Sequence, residues 1–183
     1  MGKKALLILD YSYDFVADDG KLTCGEPAQQ IEPFVLERIK HYNDTEQDMF
    51  FLMDLHYEND QYHPEAKLFP PHNIVNTDGR ALFNEVGKLY SQIEHKPYVH
   101  FLDKIRYDCF RGTALDTLLR DRKIDTIEIL GVCTDICVLH TAMSGYNLGY
   151  NLIIPRDGVT SFNPVGHEWA LEHFKNVLGA NVV

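Results

Sequence analysis

Residues 126–132 read TIEILGV and run without a break into 133–137, CTDIC, after which Leu139, Ala142, Met143, Gly145 and Tyr146 follow at helical intervals. The first seven residues are a short, nearly continuous apolar run. Such a run suits a strand buried on both faces, and a helix directly after it is the mark of a parallel sheet. The same alternation recurs along the chain. Strands are expected at Ala5 to Leu9, Met49 to Met53, Val99 to Leu102, Thr126 to Val132 and Leu152 to Ile154, with a weak last one at Asn181 to Val183. Helices are expected near Ala28 to Tyr42, Arg80 to Tyr90, Thr113 to Arg122, Asp135 to Leu148 and Pro164 to Leu178. Asn163 before Pro164 reads as an N-cap with proline at the first helical position, and Gly179 stands where that helix would stop. In the fourth helix Ile136, Leu139, Met143 and Tyr146 share one spacing, while Ala142 and Gly145 on another face permit close packing on a sheet. The fold class is therefore α/β, a parallel sheet with helices on both faces.

The 183 residues carry 45% apolar and 24% charged side chains, which suits one globular domain spanning 1–183 with a sizeable core. Seventeen basic against 27 acidic residues leave a formal charge of −10, which repels phosphate backbones. Nucleic acid is excluded as an expected partner. Lys3 and Lys4 precede only a short apolar run that ends at Asp10, so neither a signal-peptide core nor a membrane span is expected. Leu6 stands where N-myristoylation wants Ser or Thr. Four cysteines, Cys24, Cys109, Cys133 and Cys137, are few for a chain able to build its own core, and predict free thiols in a reducing, cytoplasmic setting.

In parallel sheets of this kind ligands bind beyond the carboxyl ends of the strands. Those ends are polar here: Asp10 after the first strand, Asp54 and His56 after the second, Asp103 and Lys104 after the third, and the CTDIC turn after the fourth. Singly, each is ordinary, since aspartate ends strands as a turn residue or cap and a free cysteine packs as a small hydrophobe. Together they project from one edge. Thr134 reads as the N-cap of the fourth helix, which puts Cys137 in the first turn, where free N–H groups and a nearby ammonium lower a thiol pKa and receive an oxyanion. Asp10, Lys104 and Cys137 thus form a candidate set: a carboxylate to take the thiol proton, a cation to hold both anions, and a nucleophile. No Gly-x-Ser-x-Gly elbow, Walker loop or Gly-x-Gly-x-x-Gly fingerprint competes with it.

A second constellation follows the second strand. Asp54 and His56 share one side by strand alternation, and His63, Glu65 and His72 come soon after. Histidine with carboxylate suits Zn²⁺, Mn²⁺ or Fe²⁺ in a working site. A structural zinc ribbon is weak, because Cys133 and Cys137 have no second close cysteine pair. Phe15, Phe69 and Tyr107 fall near both constellations, as walls for a flat aromatic ligand or simply as core.

Three signatures together resemble the nicotinamidases of the isochorismatase-like cysteine hydrolase superfamily over essentially the whole chain. They are LILD ending at Asp10 with Asp14 and Phe15, then Asp54-x-His56 with His63-Pro64-Glu65 and Pro70-Pro71-His72, and GVCTDICV at 131–138. The resemblance implies a Rossmann-like fold, a triad of Asp10, Lys104 and Cys137, and a cis peptide before Cys133. It also implies an oxyanion hole from the backbone N–H groups of Cys133 and Cys137. One divalent metal ion is implied, zinc first and iron or manganese as alternatives. Asp54, His56 and His72 match its ligand positions, and Glu65 matches a streptococcal-like pattern, with His63 as the alternative. Phe15, Phe69 and Tyr107 correspond to pocket aromatics, although Phe69 stands where several relatives carry Trp. The implied reaction is hydrolysis of nicotinamide to nicotinic acid and ammonia in NAD salvage, and homo-oligomers are frequent among such proteins. The alternatives are another amide or carbamoyl hydrolase of the same superfamily, or a catalytically silent α/β metal-binding module. Cys137 itself argues against vinyl-ether cleavage of isochorismate.

Overall fold

Leu6 and Ile8 face one side of the central sheet while Ala5, Leu7 and Leu9 face the other, which is why the first apolar run shows no alternation. This architecture is taken from a computed structural model that describes residues 2–183. The strands are β1 (Lys3–Leu9), β2 (Met49–Asp54), β3 (Val99–Lys104), β4 (Ile124–Val132), β5 (Asn151–Ile154), β6 (Val159–Thr160) and β7 (Asn181–Val182). They form one seven-stranded parallel sheet in the order β3-β2-β1-β4-β5-β7, with β6 paired to β4. One face is covered by α5 (Leu115–Asp121), α6 (Leu139–Asn147) and α7 (Pro164–Asn176). On the other lie α2 (Glu26–Gln30), α3 (Glu32–Asp44) and α4 (Asn84–Ile93), with the short α1 (Tyr13–Val16) near the carboxyl end of β1.

The chain runs outward from β1 to β2 and β3, then returns to start β4 on the other side of β1. The carboxyl end of β1 is therefore the switch point of the sheet, where a crevice opens. Gly131 serves that spot. Its backbone has φ 115, and a Cβ there would lie 2.0 Å from the Leu9 carbonyl oxygen, so only glycine lets β4 approach β1 so closely. The next peptide bond but one, Val132–Cys133, is cis.

The long helix expected from Ala28 to Tyr42 is divided at Ile31 into α2 and α3, each with a proline in its first turn, where a missing N–H costs nothing. The helix expected from Arg80 begins only at Asn84, after a 3₁₀ turn at Asp78–Arg80. Asn163 does cap α7, its side chain accepting from the Gly166 N–H at 3.1 Å. On α6 the small-residue face is the one that packs: a Cβ on Gly145 would touch Ile127 and Leu152, whereas Met143 and Tyr146 are exposed. β6 is two residues long, too short to leave a hydrophobic signature.

Candidate active site

Asp54 and Lys104 are register partners at the ends of β2 and β3, and Asp10 follows β1 between them and β4. The neighbouring strands thus deliver all three side chains to one point, and all three are buried. Lys104 Nζ lies 2.9 Å from Asp10 Oδ2, 3.3 Å from Asp54 Oδ1 and 3.6 Å from Cys137 Sγ. Asp10 Oδ1 accepts the Asp54 backbone N–H at 2.8 Å, which fixes the carboxylate's orientation. Its other oxygen has no well-aligned donor among the described residues.

Two carboxylates share one ammonium, so they cannot be equally stabilised. Burial would raise both. At Asp54 the Lys104 charge, helped by His56 and His72, outweighs burial and holds the carboxyl well below the usual range. At Asp10 burial wins over Lys104, and the nearby Asp54 charge adds to it, so its proton affinity is raised. Burial would lower Lys104, but Asp10 and Asp54 hold it well above the ordinary lysine value, a permanent cation. The group that can take a proton is Asp10.

Cys137 sits in a wide turn, Thr134–Val138, that precedes α6, and the cap residue is Cys133 rather than Thr134. Thr134 Oγ1 instead meets His167 Nδ1 of α7 at 2.8 Å, while Asp135 takes hydrogen bonds from Ser161 and Asn163. The turn is widened by one residue. The Cys133 carbonyl accepts from Ile136 N–H at 3.0 Å and from Val138 N–H at 3.2 Å, so the bond passes over Cys137. The expectation of a depressed thiol pKa is overturned. Burial pushes the Cys137 thiol well above its ordinary value, more strongly than Lys104 pulls it down, because little of the residue is left in contact with water. A resting thiol beside a proton-hungry carboxylate is a pair that exchanges its proton on demand.

Beside this group, one ligand atom each from Asp54, His56, Glu65 and His72 lies within 4.8 Å of all the others. His56 Nε2 is 2.6 Å from Asp54 Oδ2, and His72 Nε2 is 3.4 Å from the same oxygen and 3.6 Å from Glu65 Oε2. The donor set fits a divalent metal ion. His72 Nδ1 meets the Pro70 carbonyl at 2.8 Å, which can only accept, so that nitrogen donates and Nε2 points into the cluster, buried and without a hydrogen-bond partner among the described residues. Burial, then the Asp54 charge, raises the Glu65 carboxyl; His72 is also raised, Asp54 and the Pro70 carbonyl overcoming its burial. Both directions say that the cluster attracts positive charge. His63 stands outside it: its Nε2 meets the Ile105 carbonyl at 2.9 Å and its Nδ1 accepts the Glu65 N–H at 3.3 Å, capping the 3₁₀ turn Pro64–Lys67. Asp103 also lies apart, exposed and paired with Arg80.

A narrow cleft lies where the two groups meet. Cys133, Cys137, Asp54 and Glu65 line it together with Phe15, Phe69 and Tyr107. Val132 and Ile136, from the 131–138 motif, complete the lining with Leu22 and Phe162, which belong to no motif and come from two separate segments. Wider and more open, a vestibule walled by Tyr57, His63, Phe69 and Pro70 lies beside His56 and His72.

Residues 4–183 match the family model described as the isochorismatase domain. The chain is 56% identical to a nicotinamidase from Staphylococcus aureus, covering 100% of this chain and 99% of that one with a TM-score of 0.88. A pyrazinamidase/nicotinamidase from Streptococcus mutans is 48% identical, covering 99% and 100%, with a TM-score of 0.96. A pyrazinamidase of Pyrococcus horikoshii, solved in complex with zinc, is 27% identical over 99% of this chain and 98% of its own, with a TM-score of 0.86.

Proposed function

The chain belongs to the isochorismatase family, and on that premise we propose that it is a nicotinamidase, a cysteine amidohydrolase that converts nicotinamide and water to nicotinic acid and ammonia. The observation that carries this reading is the meeting of Asp10 and Lys104 with Cys137, which lines a cleft together with Asp54 and Glu65 of the Asp54, His56, Glu65 and His72 cluster. The carboxamide would meet Cys137 and the pyridine nitrogen the metal cluster, both of which reach the same cleft.

In this reading Asp10 takes the Cys137 proton while Lys104 stays charged beside the emerging thiolate. The sulfur attacks the carboxamide carbon, a C–S bond forms, and the carbonyl electron pair moves onto oxygen. The N–H groups of Cys133 and Cys137 receive that oxyanion, each such donor being worth roughly 10²- to 10³-fold in rate. Collapse breaks the C–N bond, and ammonia leaves with the proton held on Asp10. A water molecule then gives a proton back to Asp10 and attacks the thioester, releasing nicotinic acid and restoring the thiol. Phe15, Phe69 and Tyr107 hold the flat ring between them.

Asp54, His56, Glu65 and His72 would hold one divalent ion, which when bound supplies a Lewis-acid anchor for the pyridine nitrogen. Zinc is the proposed ion, with iron or manganese as alternatives, because two imidazole nitrogens and two carboxylates suit all three. Zinc is also the metal of the Pyrococcus horikoshii complex. The activity would serve nicotinamide salvage toward NAD in the cytoplasm.

Ammonia release from nicotinamide by purified protein of known metal content tests the reading. Cys137→Ala is expected to lose turnover by about 10⁴-fold or more with metal content and melting temperature unchanged. Chelation is expected to abolish release in the unaltered protein. Turnover retained by Cys137→Ala would overturn the nucleophile assignment, and inert protein with bound metal would overturn the substrate.

A further inference from the structure

Two thiols outside the proposed triad meet behind the cleft. Cys24 Sγ and Cys133 Sγ lie 3.2 Å apart although 109 residues separate them, and both side chains are buried. Cys133 lines the cleft; Cys24 lies behind it, held by its backbone N–H bond to the Phe15 carbonyl at 2.9 Å. An inert core cysteine packs against hydrocarbon. These two face each other, at a distance short enough for one S–H to be donated to the other sulfur. The Cys133 thiol is raised well above its ordinary value, first by that shared hydrogen bond with Cys24 and then by burial.

We propose that Cys24 and Cys133 are an oxidation site, a thiol pair that closes to a disulfide when hydrogen peroxide enters the cleft and thereby switches the active site off. The effect on turnover rests on the nicotinamidase reading; the cross-link itself does not. In the first step peroxide oxidises the cleft-facing Cys133 thiol to a sulfenic acid and one water leaves. In the second, the Cys24 thiol displaces the sulfenic hydroxyl as a second water and the S–S bond forms. Two thiols and one peroxide give one disulfide and two waters, the sulfurs being oxidised and the peroxide oxygens reduced.

The consequence follows from length. A disulfide needs its sulfurs at about 2.05 Å, so closure brings the two sulfur atoms together by roughly 1 Å relative to the present 3.2 Å and pulls on Cys133. Cys133 supplies one of the two N–H groups proposed to receive the oxyanion, and a displacement of about 1 Å in a catalytic group costs on the order of 10²-fold in rate. Cys137 lines the same cleft and is open to the same oxidant, so a loss of activity alone would not identify the site.

The full-length protein is treated with graded hydrogen peroxide, alkylated under denaturing conditions and mapped by mass spectrometry, with ammonia release measured before and after dithiothreitol. A Cys24–Cys133 cross-link lacking two hydrogens is expected, rising in step with a roughly 100-fold loss of turnover that dithiothreitol reverses. Cys24→Ala, with Cys24→Ser as a second variant, is expected to turn over normally when reduced and to lose the cross-link and the thiol-reversible part of the inactivation. The proposal is overturned if Cys24 and Cys133 both remain alkylatable while activity falls, or if both Cys24 variants show the same reversible loss. Should the reduced protein fail to hydrolyse nicotinamide, the cross-link in the mass spectrum still decides this site, and only the substrate reading falls.

Discussion

Both ends of the central sheet bury charge, but only one end leaves it unmatched. At the amino end Asp48 receives Lys3 Nζ at 2.7 Å and Arg122 Nε at 3.0 Å, with His100 Nε2 at 3.5 Å. Along β4 Glu128 is met by both arms of Arg38, at 2.6 and 2.8 Å, and by the Tyr42 hydroxyl at 3.0 Å. At the carboxyl end Asp10 and Asp54 share Lys104, and Asp10 Oδ2 and His72 Nε2 lack aligned partners. Buried charge with every lone pair answered holds strands and helices together. Buried charge left short of partners is poised to take a proton, a metal ion or a substrate.

The largest expected effect breaks this contrast at its unmatched end. Asp10→Asn is predicted to cut turnover by roughly 10²- to 10⁴-fold, the usual worth of a general base. Its stability is predicted to hold or rise, because burial raises the Asp10 proton affinity and a neutral amide avoids that cost, while Asp54 still faces Lys104. The sign runs as for any raised carboxyl: the charged form is the one the folded state disfavours. Steady-state kinetics and a thermal melt check both parts. A large fall in melting temperature would make Asp10 a structural partner of Lys104 like those at the other end.

What could be read from the residues follows the same division. Leu6 to Leu9 and residues 126–132 announce buried strands because hydrophobicity is local, and the residues after them, Asp10 and Cys133 to Cys137, are located by strand ends alone. Asp54-x-His56 is legible for the same reason. The proton affinity of Cys137 was not, since a helix start argues for a lowered thiol and only the fold reveals that burial prevails. Leu22 and Phe162 reach the cleft from separate segments, and Cys24 meets Cys133 across most of the chain, so no spacing encodes either. The break at Ile31 is hidden in the sequence because the apolar spacing of α2 continues into α3, although Pro27 and Pro33 mark two helix starts.

An intermediate effect tests the matched charges. Arg38→Ala is predicted to destabilise by about 2 kcal/mol, below the ~3 to 5 kcal/mol of a fully buried pair, because the Arg38 side chain remains 24% exposed. Turnover per folded molecule is predicted to be unchanged, as Arg38 and Glu128 lie within the sheet and helix layer rather than on the cleft. Chemical denaturation with kinetics on the same preparation separates the two. Altered turnover in the folded variant would mean that the matched pairs also tune the site.

The smallest effect sharpens the comparison by pH. His100 is lowered from 6.5, first by burial and then by the Arg122 charge, against the pull of Asp48. A depressed histidine contributes stability that is fully present above its unfolded pKa and is lost as pH falls through its lower folded value. Acidification below about pH 6.5 therefore favours the unfolded chain, whose free imidazole takes a proton that His100 beside Arg122 resists, and loosens the amino end. His100→Gln is predicted to melt with an acid-side decline smaller by about 1 to 2 °C, a modest figure because solvent screens a partly exposed group. An unchanged decline would assign the acid sensitivity to the carboxyl end, where protonation of Glu65 and His72 would compete with the metal ion, and the melt repeated with saturating zinc would then become flatter.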